Sequence, residues 1–180
     1  AVGSLALLRP MLATLGELPS GGGWSYEFKW DGVRAIVYAE RGEVHVLSRN
    51  DRDVAGSYPE LLALPGRLPA GPVVLDGEIV ALDETGVPSF ARLQQRMHVG
   101  QAGAALRLSG TDPIRFLVFD VLHLDGRDTT GLTYLERRGL LAGLDLDGAS
   151  WQCPPYFAGN GAWQYSTDNG ANWTDIAITP

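Results

Sequence analysis

Along residues 24–39, WSYEFKWDGVRAIVYA, apolar and polar positions alternate on either side of a polar break. That pattern predicts a strand, a tight Asp31-Gly32 turn and a second strand. In the first strand a period of two puts Tyr26, Phe28 and Trp30 on one face and Glu27, Lys29 and Asp31 on the other. The aromatic face is expected in the core; the ionic face is either a solvated strand surface or a site. Glu40 to Glu43, with Gly42, predicts a hairpin loop into EVHVLSR. Residues 72–82, PVVLDGEIVAL, are a β-rich apolar segment broken at Asp76-Gly77, with Glu78 as a carboxylate inside it. Ser89 is placed to cap a short helix, SFARLQQRM, whose Arg92 and Arg96 lie four apart on one face. Residues 113–124, PIRFLVFDVLHL, have the β-branched and aromatic content of a central strand. Asp120 interrupts that strand, and a carboxylate there is costly unless paired or functional. An Asp125-Gly126 turn follows. Thr133 and Glu136 have capping-box spacing ahead of the helix LERRGLLAGL. In the last stretch Trp163, Tyr165, Trp173, Ile176 and Ile178 alternate around Asp168-Asn169-Gly170, a hairpin pattern.

Composition narrows this picture. The 180 residues are 45% hydrophobic and 19% charged, values of a globular domain rather than a disordered or fibrous chain. No apolar run is long enough to span a bilayer, and the start lacks the basic residues of a secretory leader. An intracellular chain is expected. The lone cysteine, Cys153, can neither form an internal disulfide nor supply a four-ligand zinc site, and reads as a small apolar filler. His45, His98 and His123 are too scattered for a metal site or a triad. A net charge of -7 argues against broad Coulomb attraction to nucleic acid, so any DNA contact must be local. The basic residues are thirteen arginines and one lysine, Lys29. None follows Arg138, while three of the four asparagines stand at 160, 169 and 172. The shift places a boundary near residue 161, giving units 1–161 and 162–180.

The informative element is the lysine followed by W-D-G-V-R. A neutral lysine amine is a nucleophile; glycine after the aspartate lets backbone approach a phosphate or sugar; Arg34 can pair with phosphate oxygens. K29-W-D-G-V-R34, S48-R49-N-D-R-D, L75-D-G-E78-I-V and F116-L-V-F119-D-V-L-H-L-D-G126 occur in that order. The set resembles the adenylation domain of ATP-dependent DNA ligases, in the covalent nucleotidyltransferase superfamily. RPMLATLGELP, YPELLAL, FARLQQRMHV, YLERRGLLAGL and WQCPPYFAGNG are similar to the bacterial ligase domains of non-homologous end joining, a likeness covering about residues 9–161.

The resemblance implies an α/β (α+β) fold of antiparallel sheets flanked by helices, an ATP-grasp-like nucleotidyltransferase core, truncated, with a C-terminal β-hairpin. It implies Lys29 as the nucleophile on the α-phosphate of ATP, giving lysyl-AMP and pyrophosphate. Asp31 and Gly32 would shape the nucleotide loop, Arg34 would contact the nucleotide, and Arg49 the nucleotide or a DNA phosphate. Glu78 would bind the ribose or help place Mg²⁺; Phe119 would stack on adenine; Glu27 would line the pocket entrance; Asp120 would be structural. The implied substrate is nicked or broken double-stranded DNA, with an end-binding repair protein as a partner, in the bacterial cytoplasm near the nucleoid and away from membranes.

Family members continue with a second metal-binding glutamate in an E-G-[VI]-V segment and a strand of phosphate-holding lysines, followed by an oligonucleotide-binding barrel. None of these occurs here, and the tail instead resembles the W-x-Y-S-x-D-x-G-x-x-W repeats of bacterial surface proteins. Two alternatives therefore stand beside the ligase reading: a catalytically inactive nucleotide- or partner-binding fragment, and an RNA ligase or capping-type nucleotidyltransferase.

Overall fold

A computed structural model describes residues 2–17, 19, 21–97, 99, 102–159, 164–165 and 174–175. The chain divides into two compact units, one built from Ala1–Met11 with Trp30–Pro154, the other from Leu12–Lys29 with Pro155–Pro180.

The first unit is organised by β2 (Val33–Glu40), β3 (Glu43–Ser48), β4 (Val73–Ala81), β5 (Ile114–Leu124), β6 (Arg127–Asp128) and β7 (Trp151–Gln152). The strand order is β3-β2-β4-β5-β6, antiparallel throughout, with β7 alongside β5 in parallel. Two hairpins close as expected. Arg41-Gly42 joins β2 to β3 and Asp125-Gly126 joins β5 to β6, all four residues at positive φ. That is the backbone a two-residue turn needs to match strand twist.

One sheet face carries Ala35, Val37, Val46, Val73, Leu75, Ile79, Phe116, Val118 and Val121 into the main core. The 3-10 segment Pro59–Arg67, helix α1 (Phe90–Arg96) and helix α3 (Tyr134–Ala142) cover it with Leu61, Leu64, Leu93 and Leu141. The other face carries a smaller cluster, Ile36, Tyr38, Leu47 and Val74, packed by Val2, Leu5, Leu8 and Leu122. The N-terminal segment is tied there by the Leu8 amide donating to Tyr38 Oη at 2.7 Å and the Ser4 amide donating to Glu40 at 2.9 Å. Because both faces are covered, β4 is buried almost throughout, which explains its near-continuous apolar sequence.

β4 corrects one expectation, since it runs unbroken through Asp76-Gly77. A Cβ on Gly77 would stand 2.5 Å from both the Leu117 carbonyl oxygen and the Phe116 ring; glycine lets that ring pack against backbone instead. The capping box at α3 is present, with both Thr133 and Glu136 engaged. Ser89 occupies the N-cap of α1 without a side-chain cap bond. Helix α2 (Ala102–Thr111) precedes β5. Among the described residues no helix is long and apolar enough to cross a membrane.

In the second unit β1 (Trp24–Tyr26) pairs antiparallel with β8 (Phe157–Gly159), Tyr26 opposite Phe157. This overturns the hairpin expected over residues 24–39: β1 ends at Tyr26 and its partner comes from far along the chain. The aromatic face is not core either. Phe28 is 59% exposed and meets Phe157 edge to face, with ring centroids 5.6 Å apart. In the tail β9 (Gln164–Tyr165) and β10 (Thr174–Asp175) pair antiparallel, as a hairpin requires; the expected Asp168-Asn169-Gly170 turn, the 161 boundary and His98 lie outside the described residues.

Candidate nucleotide site

Alternation along β2 and β4 puts Arg34 on the same sheet face as Asp76 and Glu78, and Arg34 stands across from Glu78 in the β2–β4 register. Arg34 binds Asp76 with two parallel bonds, Nε to Oδ1 at 2.6 Å and Nη2 to Oδ2 at 2.8 Å. Such forked pairing fixes direction as well as charge. The guanidinium lies over the Phe119 ring, 4.6 Å from its centroid, within cation–π reach. Burial works against the Arg34 charge, but the hydrogen bond to Asp76 and the charges of Asp76, Glu78 and Asp120 outweigh it and raise its pKa. Asp76 is 3% exposed. There burial is the stronger influence and raises the carboxyl above its ordinary range, Arg34 recovering only part of the loss.

Phe119 owes its position to an irregularity. In the β4–β5 ladder Gly77 faces Val118 and Asp76 faces Asp120, so Phe119 is an extra residue opposed by none. A bulge of this kind re-aims a side chain out of the regular alternation, and here it delivers an aromatic ring to the polar face. Asp120 is paired: Arg137 donates from Nε at 2.7 Å and from Nη2 at 2.9 Å. Its structural reading is thereby accounted for.

Gly32 lies just before β2, and its amide donates to Glu78 Oε1 at 3.1 Å. The loop presses so closely on β4 that a Cβ there would fall 2.1 Å from the Ile79 carbonyl oxygen. The glycine is required by close approach to the neighbouring strand, where the sequence had suggested approach to a phosphate or sugar. Asp31 is exposed beside it, and Arg49 is exposed on the turn after β3. Thus the structure gathers Gly32, Glu78, Arg34 and Phe119, while Arg49 stands on a separate turn. Glu27 and Lys29, both exposed, belong to the second unit.

Among the described residues no three His, Cys, Asp or Glu groups gather to hold a metal. Glu78 is a hard oxygen donor, and Mg²⁺ is commonly held by one or two carboxylates together with substrate phosphates. The donor set fits that mode and not an all-protein cage. Sequence reasoning missed Asp76, Arg137 and Arg138 as partners of this site; the arginines directly follow the capping box, but nothing local names their acceptors.

An antiparallel sheet flanked by helices, with Arg34, Asp76, Glu78 and Phe119 on one polar strip, has the fold of a nucleotidyltransferase domain. Residues 10–145 match the ATP dependent DNA ligase domain family, and the chain belongs to it. The chain is 40% identical over 172 residues to the multifunctional non-homologous end joining DNA repair protein LigD of Mycobacterium tuberculosis (strain ATCC 25618 / H37Rv), covering 94% of this chain and 21% of that protein. What that alignment omits is shorter than the 162–180 stretch, so it extends past Gly161. A DNA ligase of Cenarchaeum symbiosum (strain A) is 36% identical over 163 residues, covering 86% of this chain and 27% of the relative. Among solved structures, the ligase domain from M. tuberculosis LigD matches at TM-score 0.69 and 40% identity, covering 86% of this chain and 48% of that one. A mycobacterial DNA ligase D complexed with ATP and MES matches at TM-score 0.68 and 40% identity, covering 83% and 46%. The chain therefore spans about a fifth to a quarter of these curated relatives and just under half of the solved domains.

Proposed function

We propose that this chain carries the nucleotide-binding front of a ligase adenylation domain, with Lys29 as the group that takes AMP. The lysine Nζ attacks the α-phosphorus of ATP; a P–N bond forms, the bond to the bridging oxygen breaks, pyrophosphate leaves and the amine gives up a proton to solvent. The AMP then passes to a 5′-phosphate of nicked or broken duplex DNA, and the 3′-hydroxyl displaces it as the strand is sealed. An end-binding repair protein is the proposed partner in delivering those ends.

The observation that carries this reading is the Gly32–Glu78 contact beside the Arg34–Phe119 stack, formed by residues inside the segment 10–145 that matches the family. The Gly32 amide orients Glu78 toward a ribose hydroxyl or a metal-bound phosphate. Arg34 covers one face of Phe119, so adenine takes the other; stacking on an aromatic ring is worth about 1 to 3 kcal/mol per base. Asp31 shapes the loop, and Arg49 is the candidate phosphate contact. When bound, Mg²⁺ neutralises triphosphate charge, with Glu78 as its protein ligand.

Intact mass after incubation with ATP and Mg²⁺ tests the assignment. The expected result is a gain of one AMP that vanishes in Lys29→Ala. A second reading, nucleotide binding without adduct, draws on the chain spanning just under half of the solved ligase domains. Unchanged mass in a folded sample that still binds ATP would establish it and sink the first.

A further inference from the structure

Two adjacent arginines of α3 hold the strand segment that presents Phe119. Arg138 is buried; its Nη1 donates to the Phe119 carbonyl at 3.1 Å and its Nη2 to the Pro154 carbonyl at 2.6 Å. Arg137 clasps the next residue, Asp120, with its fork, while its Nη1 donates to the Leu132 carbonyl at 2.6 Å. An extra residue in a bulge drops out of the ladder, and its buried backbone groups need partners from elsewhere. Arg138 supplies one of them.

The charges explain why the second arginine matters. Asp120 stands directly across the ladder from Asp76, and like charges in opposed positions repel. Each carboxylate has its own arginine: Asp76 has Arg34 from β2, and Asp120 has Arg137 from α3. The Asp120 charge reaches both Arg34 and Asp76. Without Arg137, Asp120 becomes an unneutralised acceptor competing with Asp76 for Arg34, and the guanidinium no longer has a single resting place over Phe119.

We propose that Arg137 and Arg138 are positioning residues of the nucleotide site, holding the Phe119–Asp120 bulge so that Arg34 stays on Asp76 and over the ring. The inference rests on the nucleotide reading above for its consequence, not for its geometry. A role limited to docking α3 on the sheet predicts something different, because it leaves Arg34 undisturbed.

The test uses the whole chain as Arg137→Met, Asp120→Asn and the double variant, each checked for folding by circular dichroism. The first readout needs no nucleotide: the Arg34 Nε–H resonance in a ¹⁵N-correlated spectrum, assigned by its loss in Arg34→Lys. The second is ATP affinity by calorimetry. Arg137→Met is expected to move the Arg34 resonance and weaken ATP binding about tenfold, a coupling usual for residues in one network; the double variant restores both. An Arg34 resonance that stays in place in folded Arg137→Met, or a double variant as defective as the single, overturns the proposal. Should Arg137→Met not fold, Arg137→Lys keeps the charge but loses the fork and is read in the same way. If the unmodified chain binds no ATP, the nucleotide reading fails, while the resonance still decides whether Arg137 positions Arg34.

Discussion

Arg96 offers the most demanding test of how this fold is held together. Its side chain is 0% exposed, and its charge is met by Glu60, also largely buried. Nη1 and Nη2 reach the two Glu60 oxygens at 2.7 and 2.8 Å, and the same nitrogens donate to the Asp112 carbonyl at 2.7 Å and the Ser57 carbonyl at 3.0 Å. The guanidinium also stands 5.9 Å from the Tyr58 ring centroid. One side chain of α1 thereby ties the segment before the 3-10 turn to the residue after α2. Replacing it with methionine keeps most of the stem volume but strands a buried carboxylate and takes a donor from two carbonyls. Breaking a buried pair from one side costs about 3–5 kcal/mol, so we expect a loss near 4 kcal/mol. For a chain of this size that is a fall in Tm of about 8–16 °C. Urea titration followed by tryptophan fluorescence and far-UV circular dichroism measures it. The reasoning also fixes a sign for the second step: adding Glu60→Leu to Arg96→Met removes the stranded charge and recovers stability. A single-variant loss below about 1 kcal/mol, or a double variant less stable than the single, would refute the account, because the pair would then not be acting as a buried, mutually neutralised unit.

Two further outcomes follow from individual positions. Gly32→Ala places a Cβ 2.1 Å from the Ile79 carbonyl oxygen, so the loop must lift from β4 and surrender the Gly32–Glu78 bond; we expect a stability loss of about 1–3 kcal/mol with weaker ATP binding, and a variant matching the parent in both would show the contact to be dispensable. Burial pushes the Tyr58 hydroxyl from 10.0 up to about 12: below the unfolded value both states are neutral, and above it the unfolded chain ionises first, so stability falls as pH rises from 10 to 12, by up to about 3 kcal/mol. Denaturation midpoints across that window should drop in the parent and drop less steeply in Tyr58→Phe, where the raised Tyr38 hydroxyl still contributes.

The parts of this fold that are legible in sequence are those whose cause is local. The Glu40–Glu43 hairpin is set by a two-residue turn, and the α3 start by a side chain that reaches only three residues along. The motif residues Gly32, Arg34, Glu78 and Phe119, singled out by their order along the chain, come close together in the fold. Failures began where the cause was a partner elsewhere. Residues 24–31 alternate as a hairpin strand would, yet alternation says nothing about which strand lies alongside, and β1 found β8. With only three residues in each strand, that pairing buries little, so Phe28 stays largely exposed despite an aromatic pattern that reads as core.

The same distinction decides what could be known of the site. Asp76 sits inside a strand where an aspartate looks like an interruption, and the Asp76-Gly77 pair mimics a turn. Only the register reveals that Arg34 arrives to neutralise it and that Phe116 fills the space a Cβ would take. The bulge at Phe119 is less legible still. It exists because Val118 and Asp120 take consecutive partners on β4, and it is held by two arginines of a later helix, Arg138 on the Phe119 carbonyl and Arg137 on Asp120. A side chain named by a motif is therefore only half of a functional group; the other half is the set of neighbours that fixes its direction, and in this chain those neighbours are Asp76, Asp120, Arg137 and Arg138.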